Sequence, residues 1–336
     1  MRRYLRLYIL IISIIVVLTG CKNHEDKAQE SSQLFSYTTD IGAWITYWDR
    51  DIDEEIFKLA DQLKEIYYFA VYFKDDGSFV IPDSLIEKYE ALDKDKYTNY
   101  ISFVNDVEKA DGSAVMKDSK LIMDITGNKE NRDKVINNMV NLALKYGFNG
   151  IEIDFEGIGK NLDLWGEYNL FINELYETEK ENNLKLRVVL EPSIPVEDIQ
   201  FCQGPVYSVM CYNLHGGFSG PGGKADKTFI SDVIKKMQDI PGELRFAVAT
   251  GGFMWREDGE VKAINEYEGL DNAEIYDSEI KRDEDSQCLY YSFEDENNLK
   301  NEVWYGDVHT LNSWIKIIDE NGYKADLWRL GHNLLK

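Results

Sequence analysis

Three carboxylates recur at every second position in Gly150-Ile151-Glu152-Ile153-Asp154-Phe155-Glu156. Side chains alternate across a strand, so Glu152, Asp154 and Glu156 share one face, each about 6.5–7 Å beyond the last. Ile151, Ile153 and Phe155 take the other face. On a solvated antiparallel sheet this would be an ordinary half-buried strand with its acids in water. If the acid face looks into an enclosed space, like charges oppose one another and at least one carboxyl keeps its proton near neutral pH. A carboxyl raised in this way can act as a general acid towards a leaving oxygen. Glu156, nearest the strand's end, is the candidate for that role.

The acids need elements that enclose them. From Ile41 onward short apolar runs alternate with amphipathic stretches. Strands are expected at Ile41–Trp48, Ile66–Phe73, Lys120–Thr126, Asn149–Glu156, Lys185–Glu191, Tyr207–Asn213, Leu244–Thr250 and Ala325–Leu330. Helices are expected at Asn131–Tyr146, Asp163–Asn182, Thr228–Asp239 and Thr310–Asn321, where apolar residues recur at helical spacing. Strands separated by helices argue for parallel βα units. The predicted fold is α/β, a (β/α)8 TIM barrel, a fold of about 250 residues plus insertions. The competing doubly wound sheet would carry a Gly-rich phosphate turn after its first strand, and Trp48-Asp49-Arg50-Asp51 is not one. Two connections are long: Lys74–Ser119, with a short helix at Asp83–Ala91, and Phe253–Tyr305, acidic and aromatic-rich. The second is expected to fold as a small insertion between strand 7 and the last helix, beside the barrel mouth. In such a barrel one face of the acid strand packs on helices. The other points into the lumen, near the C-terminal mouth where barrel enzymes keep their chemistry.

The N-terminus reads as a targeting device. Arg2, Arg3 and Arg6 precede an apolar run from Leu7 to Leu18, followed by Leu18-Thr19-Gly20-Cys21. A spanning helix would need about 20 apolar residues, and the pattern is that of an exported precursor. Residues 22–38 are polar and read as a flexible tether, leaving 39–336 as the folded body. Of the 336 residues 44% are hydrophobic, enough for a sizeable core, and the net charge is −24. That charge repels phosphate backbones, so nucleic acid is not an expected partner. Cys202, Cys211 and Cys288 are an odd set, so the chain is no disulfide scaffold.

Residues 149–156 resemble the Asp-Gly-x-Asp-x-Asp-x-Glu signature of glycoside hydrolase family 18, the chitinases and their relatives. Val209-Met210-Cys211-Tyr212-Asn213 is similar to the family's Met-x-Tyr-Asp motif on the sixth strand. Ile41-Gly42-Ala43-Trp44 with Trp48 resembles its aromatic first strand, and Leu327-Trp328-Arg329-Leu330-Gly331 its closing strand. The resemblance implies retaining, substrate-assisted hydrolysis of β-1,4 bonds at N-acetylglucosamine residues, without metal or other cofactor. In it Glu156 is acid and base, Asp154 holds the acetamido N–H, Tyr212 bonds the acetamido oxygen, and Glu152 shares charge or a proton with Asp154. Trp328 would floor the reacting sugar, with Met210, Asn213, Trp44, Trp48 and Trp255 as further substrate-binding residues. Asn149, Glu152 and Asn213 stand where the family has Asp. The Leu-Thr-Gly-Cys ending resembles a bacterial lipobox, which implies cleavage before Cys21, its lipidation, and an extracytoplasmic protein anchored to the cell membrane.

Other signals are weaker. Glu191 closes a strand and could line the mouth or stand in solvent. His215 and His309 show no metal-ligand spacing. Cys211, between Met210 and Tyr212, should face the helices as an inert buried thiol. The alternative in another class is a non-catalytic lipoprotein of the same fold that binds N-acetylglucosamine-containing glycans.

Overall fold

The protein is described by a computed structural model covering residues 34–36, 40–49, 52–331 and 333. The expected signal segment and Cys21 lie outside the described residues.

Eight parallel strands form a closed barrel: β1 (Ile41–Thr46), β2 (Leu63–Lys74), β3 (Thr98–Glu108), β4 (Gly150–Asp154), β5 (Lys185–Leu190), β6 (Val206–Met210), β7 (Glu243–Ala249) and β8 (Lys324–Trp328). Each pairs in parallel with the next, and β8 returns to β1 in the register Ala43↔Leu327. The outer ring includes α1 (Asp53–Leu59), α2 (Asp83–Ala91), α3 (Ser119–Thr126), α4 (Lys129–Tyr146), α5 (Leu162–Glu181) and α6 (Lys227–Met237). The barrel is the expected fold, and seven of its eight strands lie where the alternation places them.

The third strand does not. Lys120–Thr126 is helix α3, and β3 runs through Thr98–Glu108, inside the segment expected to be a long connection. The apolar residues explain the correction: Leu121, Ile122 and Ile125 are buried together at helical spacing. The Asp118 carboxylate caps that helix by accepting from Lys120 N. Part of the segment read as a tether is described. Phe35 is buried, and its backbone exchanges two hydrogen bonds with the Gln62 side chain, at 3.0 and 2.7 Å.

A parallel strand covered on both faces places alternate residues in two separate environments. Outside the barrel Ile151, Ile153 and Phe155 join the main core, with Phe155 stacked on Phe171 at 6.2 Å. Inside, a smaller cluster gathers Trp44, Tyr67, Tyr100, Val189, Met210, Tyr212, Ala247 and Ala249. Strand β4 begins on glycine because a Cβ at Gly150 would sit 2.3 Å from Lys185 O and 2.7 Å from the Tyr100 ring. Asn149, just before it, is a structural residue: its Oδ1 accepts from Asn99 N at 2.8 Å.

Between β7 and helix α8 (Val308–Glu320), Gly251–Gly306 forms a five-stranded antiparallel sheet with one helix, α7 (Glu266–Ile275). It has its own core of Ile264, Ala273, Tyr291, Val303 and Tyr305.

Candidate active site

Strand β4 delivers its acids in a gradient of exposure. Glu152 is 0% exposed and Asp154 8%, while the Glu156 side chain, two residues past the strand, is 18% exposed. Burial raises the Asp154 carboxyl well above the usual range, and the neighbouring Glu156 and Glu152 raise it further. Its Oδ1 is buried with no hydrogen-bond partner among the described residues. Burial raises Glu156 too, against the opposing pull of Lys117.

Strand β3 supplies what fixes Glu156. Asn105 clamps its backbone from both sides, Nδ2 donating to Glu156 O and Oδ1 accepting from Glu156 N, each at 2.9 Å. The Lys117 ammonium lies 2.5 Å from Glu156 Oε2. Sequence reasoning missed Asn105, Asp106 and Lys117 because it placed the third strand elsewhere. The signal was present: Tyr100-Ile101-Ser102-Phe103-Val104 is rich in the aromatic and β-branched residues that strands favour.

One layer deeper, Glu152 spends both oxygens. Oε1 accepts from Trp44 Nε1 at 2.7 Å and Ser102 Oγ at 2.6 Å, and Oε2 accepts from Arg187 Nε at 2.6 Å. Arg187 also pairs with Asp326. Asp326 accepts from Arg245 Nε at 2.8 Å, Ser208 Oγ at 2.8 Å and Tyr67 OH at 2.9 Å. Burial alone would raise Asp326, but Arg187 and then Arg245 outweigh it and hold the group at about 2. Arg187 and Arg245 also escaped the sequence reading. Each is a cation flanked by apolar residues within its strand and buried with them, which is the mark of a partner within the lumen.

The other expected residues divide. Tyr212 is buried in the lumen cluster with Met210, and its hydroxyl is raised by burial and then by Asp154 and Glu156. Trp328 packs edge-on to Trp44 at 5.7 Å and Phe69 at 4.8 Å, at the rim of that cluster. Trp44 is 1% exposed and commits its N–H to Glu152, so it lies beneath the site. Trp48 is 43% exposed past the end of β1, with the Arg329 guanidinium 5.4 Å above its ring. Asn213 is exposed in the left-handed region, at φ 68°. Trp255 is buried in the insertion and donates to Ser219 O at 3.1 Å, pinning the glycine-rich loop after β6. Glu191 accepts from Gly157 N at 3.1 Å, beside Glu156. Cys211 is fully buried on the outer, helix-facing side, where burial pushes its thiol up.

The lumen therefore offers a carboxyl raised by burial and by its acidic neighbours, a second acid at the mouth, a buried phenol and an aromatic rim. Comparison with known proteins gives this a context. The model for Glycosyl hydrolases family 18 matches residues 40–326. A cortical fragment-lytic enzyme of Bacillus cereus is 23% identical over 287 residues, covering 79% of this chain and 64% of the relative. Among solved structures, the spore cortex-lytic enzyme SleL of Bacillus cereus has a TM-score of 0.75 at 18% identity, over 88% of this chain and 72% of that one. A mutant class V chitinase from Nicotiana tobaccum in complex with NAG4 has a TM-score of 0.68 at 13% identity, over 87% and 94%. At such identities these structures bear on the fold alone. The chain spans 54% and 64% of the length of the first two curated relatives it matches.

Proposed function

The chain belongs to glycosyl hydrolases family 18, and from that premise we propose that it hydrolyses β-1,4 bonds at N-acetylglucosamine residues with retention, using the substrate's own acetamido group as nucleophile. The observation that carries this reading is Asp154: a raised carboxyl beside Glu156, with a buried oxygen that has no partner among the described residues. An acetamido N–H is a fitting partner for that oxygen.

In the proposed reaction Glu156, protonated, gives its proton to the leaving oxygen as the C1–O bond breaks. The acetamido carbonyl oxygen bonds to C1, forming a cyclic oxazolinium ion. Asp154 accepts the hydrogen bond of the acetamido N–H, whose acidity grows as positive charge develops. The Tyr212 hydroxyl donates to the acetamido oxygen and orients it for attack. Glu156, now a carboxylate, takes a proton from water, which opens the ring at C1 and restores the starting acid. This is one of the exceptions to the usual pair of enzymic carboxylates. Glu152 acts at one remove, holding Trp44 and Arg187 beneath the reacting sugar, with Trp328 as its floor.

The substrate is a glycan containing N-acetylglucosamine: chitin oligomers, peptidoglycan or an N-glycan core. The relatives named for cortex lysis and the chitinase bound to NAG4 support that range. We also propose export and anchoring to the cell membrane through lipidated Cys21, on the strength of Leu18-Thr19-Gly20-Cys21. Cys21→Ala should then move the protein from the membrane fraction to the soluble fraction, and unchanged partition would dismiss the anchor.

The full chain, solubilised in detergent, should turn over at least one of the three glycans. Glu156→Gln should lose about a hundredfold to ten-thousandfold in kcat. Equal activity in both proteins would remove Glu156 from its role. Binding without turnover by either would favour a sugar-binding protein of this fold.

A further inference from the structure

The group that most directly opposes Glu156 as an acid is Lys117, 2.5 Å from its Oε2. An ammonium at that distance stabilises the carboxylate, whereas the first step of hydrolysis needs the protonated form. The pairing is built into the backbone. Lys117 N donates to Asp106 Oδ1 at 2.7 Å, and Asp118 N donates to Asn105 O at 2.8 Å, so the lysine's own backbone and that of the next residue are fixed to the end of β3. Lys117 takes the left-handed conformation there, at φ 53°, which costs a residue with a Cβ. The side chain itself is 50% exposed, able to leave Glu156 without disturbing the core.

The charges around Glu156 set the terms for such a move. Asp154 faces it from β4, Asp106 from β3 and Glu191 from the end of β5, all acids, while Lys117 reaches it from the connection between β3 and α3. If Lys117 swings away, the surrounding acids favour proton uptake by Glu156. The ammonium then needs another anion.

Geometry indicates where that anion sits. Glu156 must contact the leaving oxygen, so the leaving-side sugar lies within reach of Lys117. In a β-1,4 glycan that oxygen is O4 of the leaving sugar, and its nearest substituent is the one on O3. A neutral sugar presents a hydroxyl there, whereas a sugar with an acid ether on O3, as in N-acetylmuramic acid, presents a carboxylate. We propose that Lys117 is a positioning and specificity residue that passes from Glu156 to a carboxylate beside the scissile oxygen, so that acidic leaving sugars are preferred to neutral ones. The exchange balances: one proton enters from water to Glu156, and the ammonium keeps one carboxylate partner throughout. This inference rests on the role given to Glu156 above.

The test uses the full chain in detergent and sulfur-linked tetrasaccharides of alternating N-acetylglucosamine and N-acetylmuramic acid, which resist cleavage. They are titrated calorimetrically as the free acid and as the methyl ester, in two buffers of different ionisation heat. The wild-type chain should bind the acid about tenfold more tightly than the ester and take up about one proton with it. Lys117→Met should lose both the preference and the uptake, while Lys117→Arg keeps the preference. Equal binding of acid and ester, or a preference that survives in Lys117→Met, overturns the proposal, as does binding of the acid without proton uptake. With oxygen-linked substrates, the alkaline limb of kcat/KM should move to higher pH in Lys117→Met, because removing the cation raises Glu156; an unmoved limb also overturns it. An intact binding preference with no turnover of any acetamido glycan would refute the hydrolase reading and leave Lys117 as a selector for binding.

Discussion

Asp326 on β8 and Asp154 on β4 are buried aspartates, both turned into the barrel, yet their carboxyls are shifted in opposite directions. Asp326 has two guanidiniums, a serine and a tyrosine around it and stays ionised down to about 2. Asp154 has carboxyls for neighbours, and burial together with those charges raises its carboxyl well above the usual range. Burial is common to both, so it does not decide the outcome. The count of cations and donors within reach does. The deep layer is a set of charges closed apart from Arg187 Nη1, which has no hydrogen-bond partner among the described residues, whereas the acids above it have mostly acids for neighbours, which suits a place where a substrate must supply partners.

The largest effect that would test this contrast is Arg187→Met. It leaves Glu152 a buried acid without a cation and Asp326 with Arg245 alone, and should cost about 3–5 kcal/mol, read by urea unfolding. A much smaller loss would mean that the deep layer is not a closed set. Next comes Asp154→Asn, expected to lower kcat by about a hundredfold or more while leaving the fold intact. Its stability should also separate the two layers by pH. Above the ordinary aspartate range the unfolded chain ionises Asp154 while the folded chain keeps it protonated, so this group weakens folding as pH rises. Asparagine removes that penalty, and the variant should gain stability over wild type at pH 7 relative to pH 4. Asp326 works in the reverse sense: its contribution is present above the ordinary value of 3.8 and fades as pH falls towards about 2. If Asp154→Asn instead lost stability as pH rose, the proton would be misplaced. Tyr212→Phe should cost roughly tenfold in kcat/KM with unfolding unchanged. The smallest change is Ser102→Ala, about 1 kcal/mol of stability for one donor lost from Glu152. An activity loss larger than that of Tyr212→Phe would show that the deep layer takes part in the chemistry.

Much of this site is legible in the sequence because its acids sit on one strand, where a period of two exposes them. Tyr212 and Trp328 are readable by another route, the resemblance of Val209–Asn213 and Leu327–Gly331 to family motifs. What escaped reading comes from elsewhere in the chain. Asn105 and Lys117 act on Glu156 across 51 and 39 positions, and no local pattern connects them. The misplaced third strand compounded this, since Leu121-Ile122-Met123 looks extended until Ile125 and the Asp118 cap are considered together. Arg187 and Asp326 lie 139 positions apart, and only closure of the barrel brings them together.

The Asn105 clamp has a consequence for descent. It grips the main chain of Glu156 and takes no part of the side chain, so any residue with a backbone N–H can keep both of its bonds. A gene copy could discard the acid by a single base change and still inherit an intact groove for sugars. Silent glycan readers can therefore arise from such an ancestor in one step, without first passing through a misfolded form.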